Sequence, residues 1–245
     1  MKTRFLLFFV VASFATVALA ADEGAFAKAN RAYAEGRFDE AAAGYESLIN
    51  SGNWTANLFY DLGNARYRLG DFGQAILDYE RALALDPRQP EADANLRLAR
   101  DEARALEMRR DWIERYAGMA TVKQYTIAAT VAFWFTLFMT AHLFFSRRRS
   151  AGRIALIVLS VMILGVSAFA IFSLENGARG AALAVITGKE VEARLATADT
   201  AKSVLVLPAG SEIKILSERG DWIYVALPND QRGWIPANSA QRVRM

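Results

Sequence analysis

The sequence of 245 residues contains no cysteine and one histidine, His142. Without cysteine the chain has no disulfide, no thiolate nucleophile and no Cys-based metal or cluster site, and one histidine cannot form a metal site alone. The sequence also offers no nucleophile–histidine pair, no metal-ligand cluster and no phosphate-binding loop. We therefore predict no catalytic residue, no metal and no cofactor, and we assign His142 no role.

An excess of one charge sign is also lacking, because 29 Lys and Arg residues face 26 Asp and Glu residues. This near balance gives the chain no nucleic-acid footprint. Hydrophobic residues, in contrast, make up 53% of the chain, which is more than one ordinary soluble domain needs. We expect at least two domains, or one domain with membrane spans.

The amino terminus has the pattern of an export signal. Lys2 and Arg4 provide the charged start, residues 5–19 are apolar, and small residues at 18–20 offer a cleavage site. The apolar run is short for crossing a hydrocarbon core of ~30 Å. We predict that residues 1–20 are a cleaved signal peptide, with an uncleaved anchor as the alternative, and that the chain from residue 22 lies outside the cytoplasm.

Two further apolar segments, residues 126–145 and 154–174, are long enough to cross a membrane and carry no formal charge. The loop of residues 146–153 between them contains a cluster of four basic side chains, Arg147, Arg148, Arg149 and Arg153. By the positive-inside rule this topology signal places the loop in the cytoplasm. The sequence therefore predicts a membrane hairpin with both flanking regions outside a bacterial cytoplasmic membrane.

The region before the hairpin contains an internal repeat. A shift of 34 residues superimposes Tyr33 on Tyr67, Gly36 on Gly70, Phe38 on Phe72, Ala41 on Ala75, Tyr45 on Tyr79 and Glu46 on Glu80. This spacing is the tetratricopeptide period, and residues 57–87 resemble that repeat more completely than residues 22–55 do. We predict a tetratricopeptide solenoid with a capping helix over residues 22–105, followed by a helical connector over 106–125.

Helical spacing within the second copy predicts one buried stripe, formed by Leu58, Leu62, Ala65 and Leu69. Gly70 is expected to end this helix, Asp71 to cap the next one, and Pro87 to stop it.

A second stripe faces away from the first and repeats with the same period; its residues are Phe26, Asn30, Tyr33, Tyr60, Asn64, Tyr67 and Arg68. In tetratricopeptide proteins the matching positions line a concave groove, so the resemblance implies a protein-binding groove in which Arg68 pairs with an acid of the partner. Because Phe26 and Glu91 stand where that family carries basic residues, capture of a free carboxyl terminus is not expected. Asparagines that serve stability alone are the alternative.

The period of the sequence changes after residue 180. Short β-branched and aromatic runs separated by turn residues predict a small barrel of about five strands over residues 181–245. The segments "GDWIYVAL" and "RGWIP" resemble the penultimate and last strands of bacterial SH3-like domains. The resemblance implies a ligand site at Arg194, Trp222 and Tyr224, although the Gly-Pro that usually follows the arginine is missing. Trp234 is expected in the core.

The predicted fold class is multidomain, with an all-α tetratricopeptide solenoid, a transmembrane α-hairpin and a small all-β SH3-like barrel. This order of parts is similar to that of BatE-type proteins of bacterial aerotolerance operons. The resemblance implies a complex with von Willebrand A-domain Bat proteins and a part in envelope or stress physiology. We expect a noncatalytic scaffold that contacts the lipid bilayer and other envelope proteins. The alternative is that the SH3-like domain binds peptidoglycan.

Overall fold

Helices occupy the first part of the chain and strands the last part. The computed structural model describes residues 24–146 and 150–244, so the predicted signal peptide and Arg147, Arg148 and Arg149 lie outside the described residues. The helices are α1 (24–34), α2 (Phe38–Asn50), α3 (Ala56–Arg68), α4 (Phe72–Leu85), α5 (Pro90–Ala103), α6 (Trp112–Ala117), α7 (Val122–Phe145) and α8 (Ala151–Asn176). The strands are β1 (Leu183–Ile186), β2 (Glu190–Arg194), β3 (Ser203–Pro208), β4 (Glu212–Arg219), β5 (Trp222–Ala226), β6 (Arg232–Pro236) and β7 (Ala240–Arg242).

Helices α1 to α4 form two helical hairpins, and α5 packs against α4. The predicted boundaries between α3 and α4 are confirmed. Gly70 follows α3 with φ of +78°, a left-handed conformation that favours glycine. Asp71 then caps α4 by accepting a hydrogen bond from the Gln74 backbone N–H at 3.3 Å. Helix α4 ends at Leu85, before Pro87.

The predicted buried stripe of α3 is confirmed for Leu58, Leu62 and Ala65 but wrong for Leu69, which is 41% exposed. Leu69 follows the last helical residue, so its side chain leaves the stripe. Gly63 of the same helix is buried where α3 crosses α4. A Cβ atom at Gly63 would lie 2.7 Å from Cε1 of Tyr79, so only glycine permits this close approach.

The predicted helical connector is largely wrong. Helix α5 ends at Ala103, and Arg104 takes a left-handed conformation with φ of 51°. The following backbone is extended beside the sheet, where the Leu106 carbonyl oxygen accepts a hydrogen bond from the Glu212 N–H at 2.8 Å. Between α5 and α7, only the six residues of α6 are helical. The Leu106 carbonyl oxygen thus bonds to a distant strand instead of to a backbone N–H in the next turn of a continued helix.

Helices α7 and α8 pack against each other as a hairpin. Their contact buries small side chains, and the hydroxyl oxygens of Thr136 and Ser160 lie 2.7 Å apart. The outward faces carry exposed apolar side chains such as Phe138 and Phe172. Both helices are long and apolar enough to cross a membrane. Close packing of small residues joined by a hydroxyl bond is typical of helix pairs in lipid.

The strands form an antiparallel sheet in the order β3-β2-β6-β5-β4-β1-β7. The sheet has seven strands instead of the predicted five, and it does not close because β3 and β7 remain its edges. The predicted barrel is therefore not confirmed. The segment "RGWIP" forms β6 and is followed by a 3₁₀ turn and β7, so it is not the last strand.

Strand β1 is buried on both faces and joins the sheet to the solenoid. Ala184 and Ile186 contact the core of the sheet. Leu183 and Val185 point to the other face, where they belong to the same apolar cluster as Ile76 of α4. The solenoid and the sheet therefore share one apolar core.

Four buried or largely buried ionic side chains lie at the same boundary, and we call them the interdomain charge cluster: Glu80, Arg100, Arg179 and Glu212. Arg100 of α5 donates hydrogen bonds to Glu80 of α4 and Glu212 of β4. Arg179, which follows α8, donates to Glu80 and lies 3.1 Å from Glu212. The cluster thus ties together the solenoid, the sheet and the carboxyl end of the hairpin.

Candidate functional site

A groove of about 440 Å³ opens on the face of the solenoid lined by α1, α3 and the start of α5. We call it the solenoid groove; its lining residues are Phe26, Asn30, Asn57, Tyr60, Asp61, Gln89 and Glu91. Phe26, Asn30 and Tyr60 were predicted for the groove from the sequence. The other predicted residues lie deeper in the repeats or farther along α3.

The two asparagines make the same contact in both repeats. The Tyr45 hydroxyl donates to Asn30 Oδ1 at 2.7 Å, and the Tyr79 hydroxyl donates to Asn64 Oδ1 at 2.8 Å. Asn95 of α5 adds a second hydrogen bond to Asn64 Oδ1 at 2.8 Å. Asn30 and Asn64 therefore tie together the helices of each repeat, which is the stabilising role left open by the sequence.

The predicted aromatic pair also has a repeated packing role. Tyr33 lies edge-on to Phe38 at 5.3 Å between ring centroids, and Tyr67 lies edge-on to Phe72 at 5.4 Å. Both tyrosines are half-buried, so each closes the core of its own repeat.

Arg68 joins the two repeats. Its guanidinium carbon lies 4.8 Å from the centre of the Phe38 ring, which is a cation–π contact, and the side chain remains exposed. Within residues 24–146 and 150–244, Arg68 forms no ion pair with a carboxylate. This arginine is therefore accessible to an anionic group at the end of α3.

The part of the groove between the middle of α3 and the start of α5 is acidic. Asp61 is half-buried, and burial raises the pKa of its carboxyl to about 6. The hydroxyl groups of Tyr33 and Tyr45 also have a raised pKa, first because of burial and then partly because of the nearby Asp61 charge. Glu91, exposed in the first turn of α5, adds a second carboxylate.

The sequence interpretation missed the role of Asp61. A local signal was present, because Asp61 precedes Asn64 by three residues and such residues share one face of a helix. Asn57 carried the same signal, because it precedes Tyr60 by three residues and Asp61 by four on α3. Gln89 carried no comparable signal. It reaches the groove because the turn before α5 folds back on the start of α3, where Gln89 Nε2 donates to Asn57 Oδ1 at 3.3 Å.

Two other buried carboxylates are held within the fold. Burial raises the pKa of Asp78 to about 7, although Arg66 at 2.6 Å opposes the shift. Burial and the neighbouring Glu80 raise the pKa of Glu212 to about 7. Across the described parts of the chain, His, Asp and Glu side chains form no group of three that could hold a metal ion.

The residues predicted for an SH3-like ligand site lie on the outer face of the sheet. Arg194 pairs in register with Trp234, and Trp234 with Tyr224, so the three side chains form a row across β2, β6 and β5. The Tyr224 and Trp234 rings lie 5.0 Å apart between centroids. Trp222 precedes Tyr224 by two residues on the same face.

Trp234 was expected in the core, and this prediction is wrong. Its neighbours Gly233 and Ile235 face the core, so alternation along β6 directs the half-buried Trp234 outward. Arg194 also has an internal role. It donates to the Ala201 carbonyl oxygen at 3.2 Å and to that of Asp199, which orders the loop between β2 and β3.

Comparison with known proteins finds a known repeat in one part of this chain. Residues 56–89, which cover α3, α4 and the turn before α5, match the tetratricopeptide repeat. The chain therefore contains a tetratricopeptide repeat, a motif that mediates protein–protein interaction.

Among solved structures, the chain is similar to one described as "Crystal Structure of a T3SS complex from Aeromonas hydrophila". The two share 17% sequence identity, and the match covers 61% of this chain and 81% of that chain with a TM-score of 0.33. A TM-score of this size does not establish a shared overall fold.

Proposed function

We propose that this protein is a noncatalytic scaffold of the bacterial cytoplasmic membrane. The hairpin α7–α8 anchors it, and the solenoid and the sheet are presented outside the cytoplasm to assemble an envelope protein complex. The observation that carries this proposal is the solenoid groove, because aromatic, amide and charged side chains line it within a repeat family that binds proteins. By resemblance to BatE-type proteins, the partners include von Willebrand A-domain Bat proteins and the process is aerotolerance.

The membrane topology is supported by the shared core. Because Leu183 packs in the same cluster as Ile76, the solenoid and the sheet must lie on the same side of any membrane that α7 and α8 cross. The loop between the two helices then lies on the other side. The arginines of that loop, together with Arg153 in the first turn of α8, favour the cytoplasm for the loop and the outside for both domains.

The charges of the groove suggest how a partner segment lies in it. Arg68 pairs with an acidic group of the segment, while Tyr60 and Phe26 contact its side chains. Asp61 and Arg68 are seven residues apart on α3, which separates them by about 10 Å along the helix axis. A partner segment that contacts both Asp61 and Arg68 therefore needs only a short stretch of chain.

Photocross-linking in native membranes tests this function. A photoreactive amino acid is placed at Ala27, which is exposed and occupies the position of Asp61 one 34-residue period earlier. The matched control position is Ala43, which is exposed on α2 and does not line the groove. We expect a defined cross-linked envelope protein from position 27 only. Equal products from both positions, or none from position 27, would overturn the groove as the docking site.

A second candidate function is peptidoglycan binding by an SH3-like domain. It is supported by the outward row of Tyr224 and Trp234, since half-buried aromatic rings on the outer face of a sheet provide flat apolar surfaces for ligands. The full chain in detergent should then be retained by purified cell-wall sacculi, and a Tyr224→Ala/Trp234→Ala variant should not. If the sacculi retained the parent chain and the variant equally, or retained neither protein, the row of Tyr224 and Trp234 would be excluded as the binding surface.

A further inference from the structure

Three side chains that carry hydrogen-bond acceptors line the acidic end of the solenoid groove. The acceptors are the carboxylates of Asp61 and Glu91 and the side-chain carbonyl oxygen of Gln89. Gln89 Oε1 is buried and has no hydrogen-bond partner in the part of the chain that the structure describes. Its amide nitrogen donates to Asn57 Oδ1, which fixes the orientation of the group. An unpaired buried acceptor is unfavourable until a donor reaches it.

The described residues supply no cation to this end of the groove. Asp61 and Glu91 form no ion pair or side-chain hydrogen bond there, although 14 ion pairs stabilise other parts of the described chain. Lys28, Arg31 and Arg88, the basic residues nearest in sequence to the lining residues, do not line the groove. Burial of the Asp61 carboxyl is therefore uncompensated, whereas buried Asp78 and Glu212 both have arginine partners.

Aromatic side chains stand beside the carboxylates. Phe26 of α1 and Tyr60 of α3 line the same groove, and the Tyr60 hydroxyl accepts a hydrogen bond from Asn95 Nδ2 at 3.3 Å. The Tyr60 ring also packs on Tyr79 with ring centroids 6.1 Å apart, so it is held from two sides. Such rings accept the apolar stem of a lysine or arginine and attract its cationic head.

Other occupants fit this end less well. A carboxylate or phosphate group would be repelled by Asp61 and Glu91. Two carboxylates and one amide oxygen are fewer ligands than Ca²⁺ takes, and no third acidic or imidazole side chain in the described residues is placed to join them. A monovalent organic cation carried by a protein segment matches the acceptors, the aromatic rings and the open shape together.

We infer that the solenoid groove selects a partner segment that carries a lysine or arginine side chain, which enters beside Phe26 and Tyr60 and is bound by Asp61, Glu91 and Gln89 Oε1. This inference rests on the proposed docking function and names the chemistry of the partner. An acidic residue of the same segment then pairs with Arg68 about 10 Å away. That distance corresponds to about three residues of extended chain or two turns of helix.

The test uses the full chain in native membranes with the photoreactive amino acid at Ala27. The cross-linked peptide is sequenced, and its yield is compared between the parent chain and an Asp61→Asn/Glu91→Gln variant. The matched control is Asp101→Asn/Glu102→Gln, which makes the same two changes at exposed positions of α5 outside the groove. We expect the groove variant to lose yield at least about fivefold and the control to lose none.

A second arm measures the partner directly. The cross-linked segment is synthesised as a capped peptide, and a second peptide replaces its lysine or arginine with glutamine. We expect the replacement to weaken binding to the full chain in detergent at least about fivefold, and to cause no further loss in the Asp61→Asn/Glu91→Gln variant. This double-mutant comparison distinguishes a direct ion pair from a change in folding.

The outcomes separate the inference from the proposed function. Absence of any specific cross-linking from position 27 of the parent chain would overturn both the docking function and the inferred cation. A specific cross-linked segment whose yield is the same in the groove variant, or one without a basic residue, would leave the docking function intact and overturn the cation. A cross-linked peptide from this chain itself would identify a second copy as the occupant and overturn a separate partner.

Discussion

Arg100 of α5 and Glu212 of β4 are 112 residues apart in sequence and form a buried hydrogen-bonded ion pair between the solenoid and the sheet. The pair shares its boundary with Arg179 and Glu80. Because charges of both signs are buried together, each side chain needs its partners to remain ionised in the interior. The two domains are consequently expected to unfold as one cooperative unit.

Removal of Arg100 tests this cooperative boundary. Arg100→Met leaves the carboxylates of Glu80 and Glu212 with Arg179 alone, so we expect the free energy of unfolding to fall by about 3–5 kcal/mol. Urea unfolding of the full chain in detergent, followed by tryptophan fluorescence, measures this change. The matched variant Arg97→Met removes an exposed ion pair with Asp93 on the same helix and should change stability by less than about 0.5 kcal/mol. Similar small effects of both variants would contradict a structural role for the buried pair.

Asp61 is expected to reduce the stability of the fold at neutral pH. Burial raises its pKa from 3.8 to about 6, so the folded chain binds this proton more tightly than the unfolded chain does. Stability therefore decreases as the pH rises from about 4 through 6 and stays at the lower level above that range. The other titratable groups close to this site are the Tyr33, Tyr45 and Tyr60 hydroxyls and the Glu91 carboxylate.

Replacing Asp61 with asparagine should remove that penalty. At pH 7.5 we expect Asp61→Asn to unfold at a higher urea concentration than the parent chain. The gain in the free energy of unfolding should be only roughly 1 kcal/mol, because water screens the charge of a half-buried group. The difference should nearly vanish at pH 4. Glu102→Gln, at an exposed position of α5, serves as the control and should show no such pH dependence. A destabilised Asp61→Asn variant at pH 7.5 would show that the carboxylate has a stabilising partner.

Tyr67 and Arg68 are neighbours with different expected effects. Tyr67 packs on Phe72 within the repeat, so Tyr67→Ala should lower stability by about 1–2 kcal/mol in the same urea assay. Arg68→Gln should change stability by less than about 0.5 kcal/mol, because the side chain is exposed. The Arg68 variant should nevertheless reduce cross-linking from position 27. If instead Arg68→Gln destabilised the solenoid as much as Tyr67→Ala, its contact with Phe38 would be structural.

The absence of cysteine makes the membrane topology directly testable. Single-cysteine variants at the exposed positions Glu102, Ser150 and Thr200 each carry one reactive thiol. In intact spheroplasts, a membrane-impermeant maleimide should label the Glu102→Cys and Thr200→Cys variants. The Ser150→Cys variant should be labelled only after the membrane is permeabilised. Labelling of positions 102 and 200 from opposite sides would contradict the shared core of the solenoid and the sheet.

Local features of the solenoid could be predicted from the sequence because short-range physics determines them. Gly70 ends α3 since glycine readily adopts a positive φ, and Asp71 caps α4 through a bond to a backbone N–H three residues away. The two apolar helices were recognisable for the same reason, because length and composition are local properties. Three of the seven residues that line the groove followed from the repeat, whose 34-residue period places Phe26 of α1 and Tyr60 of α3 at matching positions.

Features that join distant segments were decided only by tertiary structure. The segment after Ala103 has a helical pattern, but backbone bonding between Leu106 and Glu212 makes it extended. Trp234 has the size of a core residue, but the register of β6 gives the inward position to Ile235. In both cases the competing local preference is small, on the order of 1 kcal/mol or less per residue, and long-range hydrogen bonds and packing exceed it.

The same distinction applies to the candidate site. The sequence by itself determined a repeat with aromatic and amide side chains at groove positions, because helical period and repeat length are written in neighbouring residues. Only the folded chain brought Gln89 and Glu91, at the start of the next helix, beside Asp61, and among the described residues none supplies these acceptors with a cation. Charge compensation depends on which side chains meet in space, and sequence spacing does not contain that information across a turn and two helices.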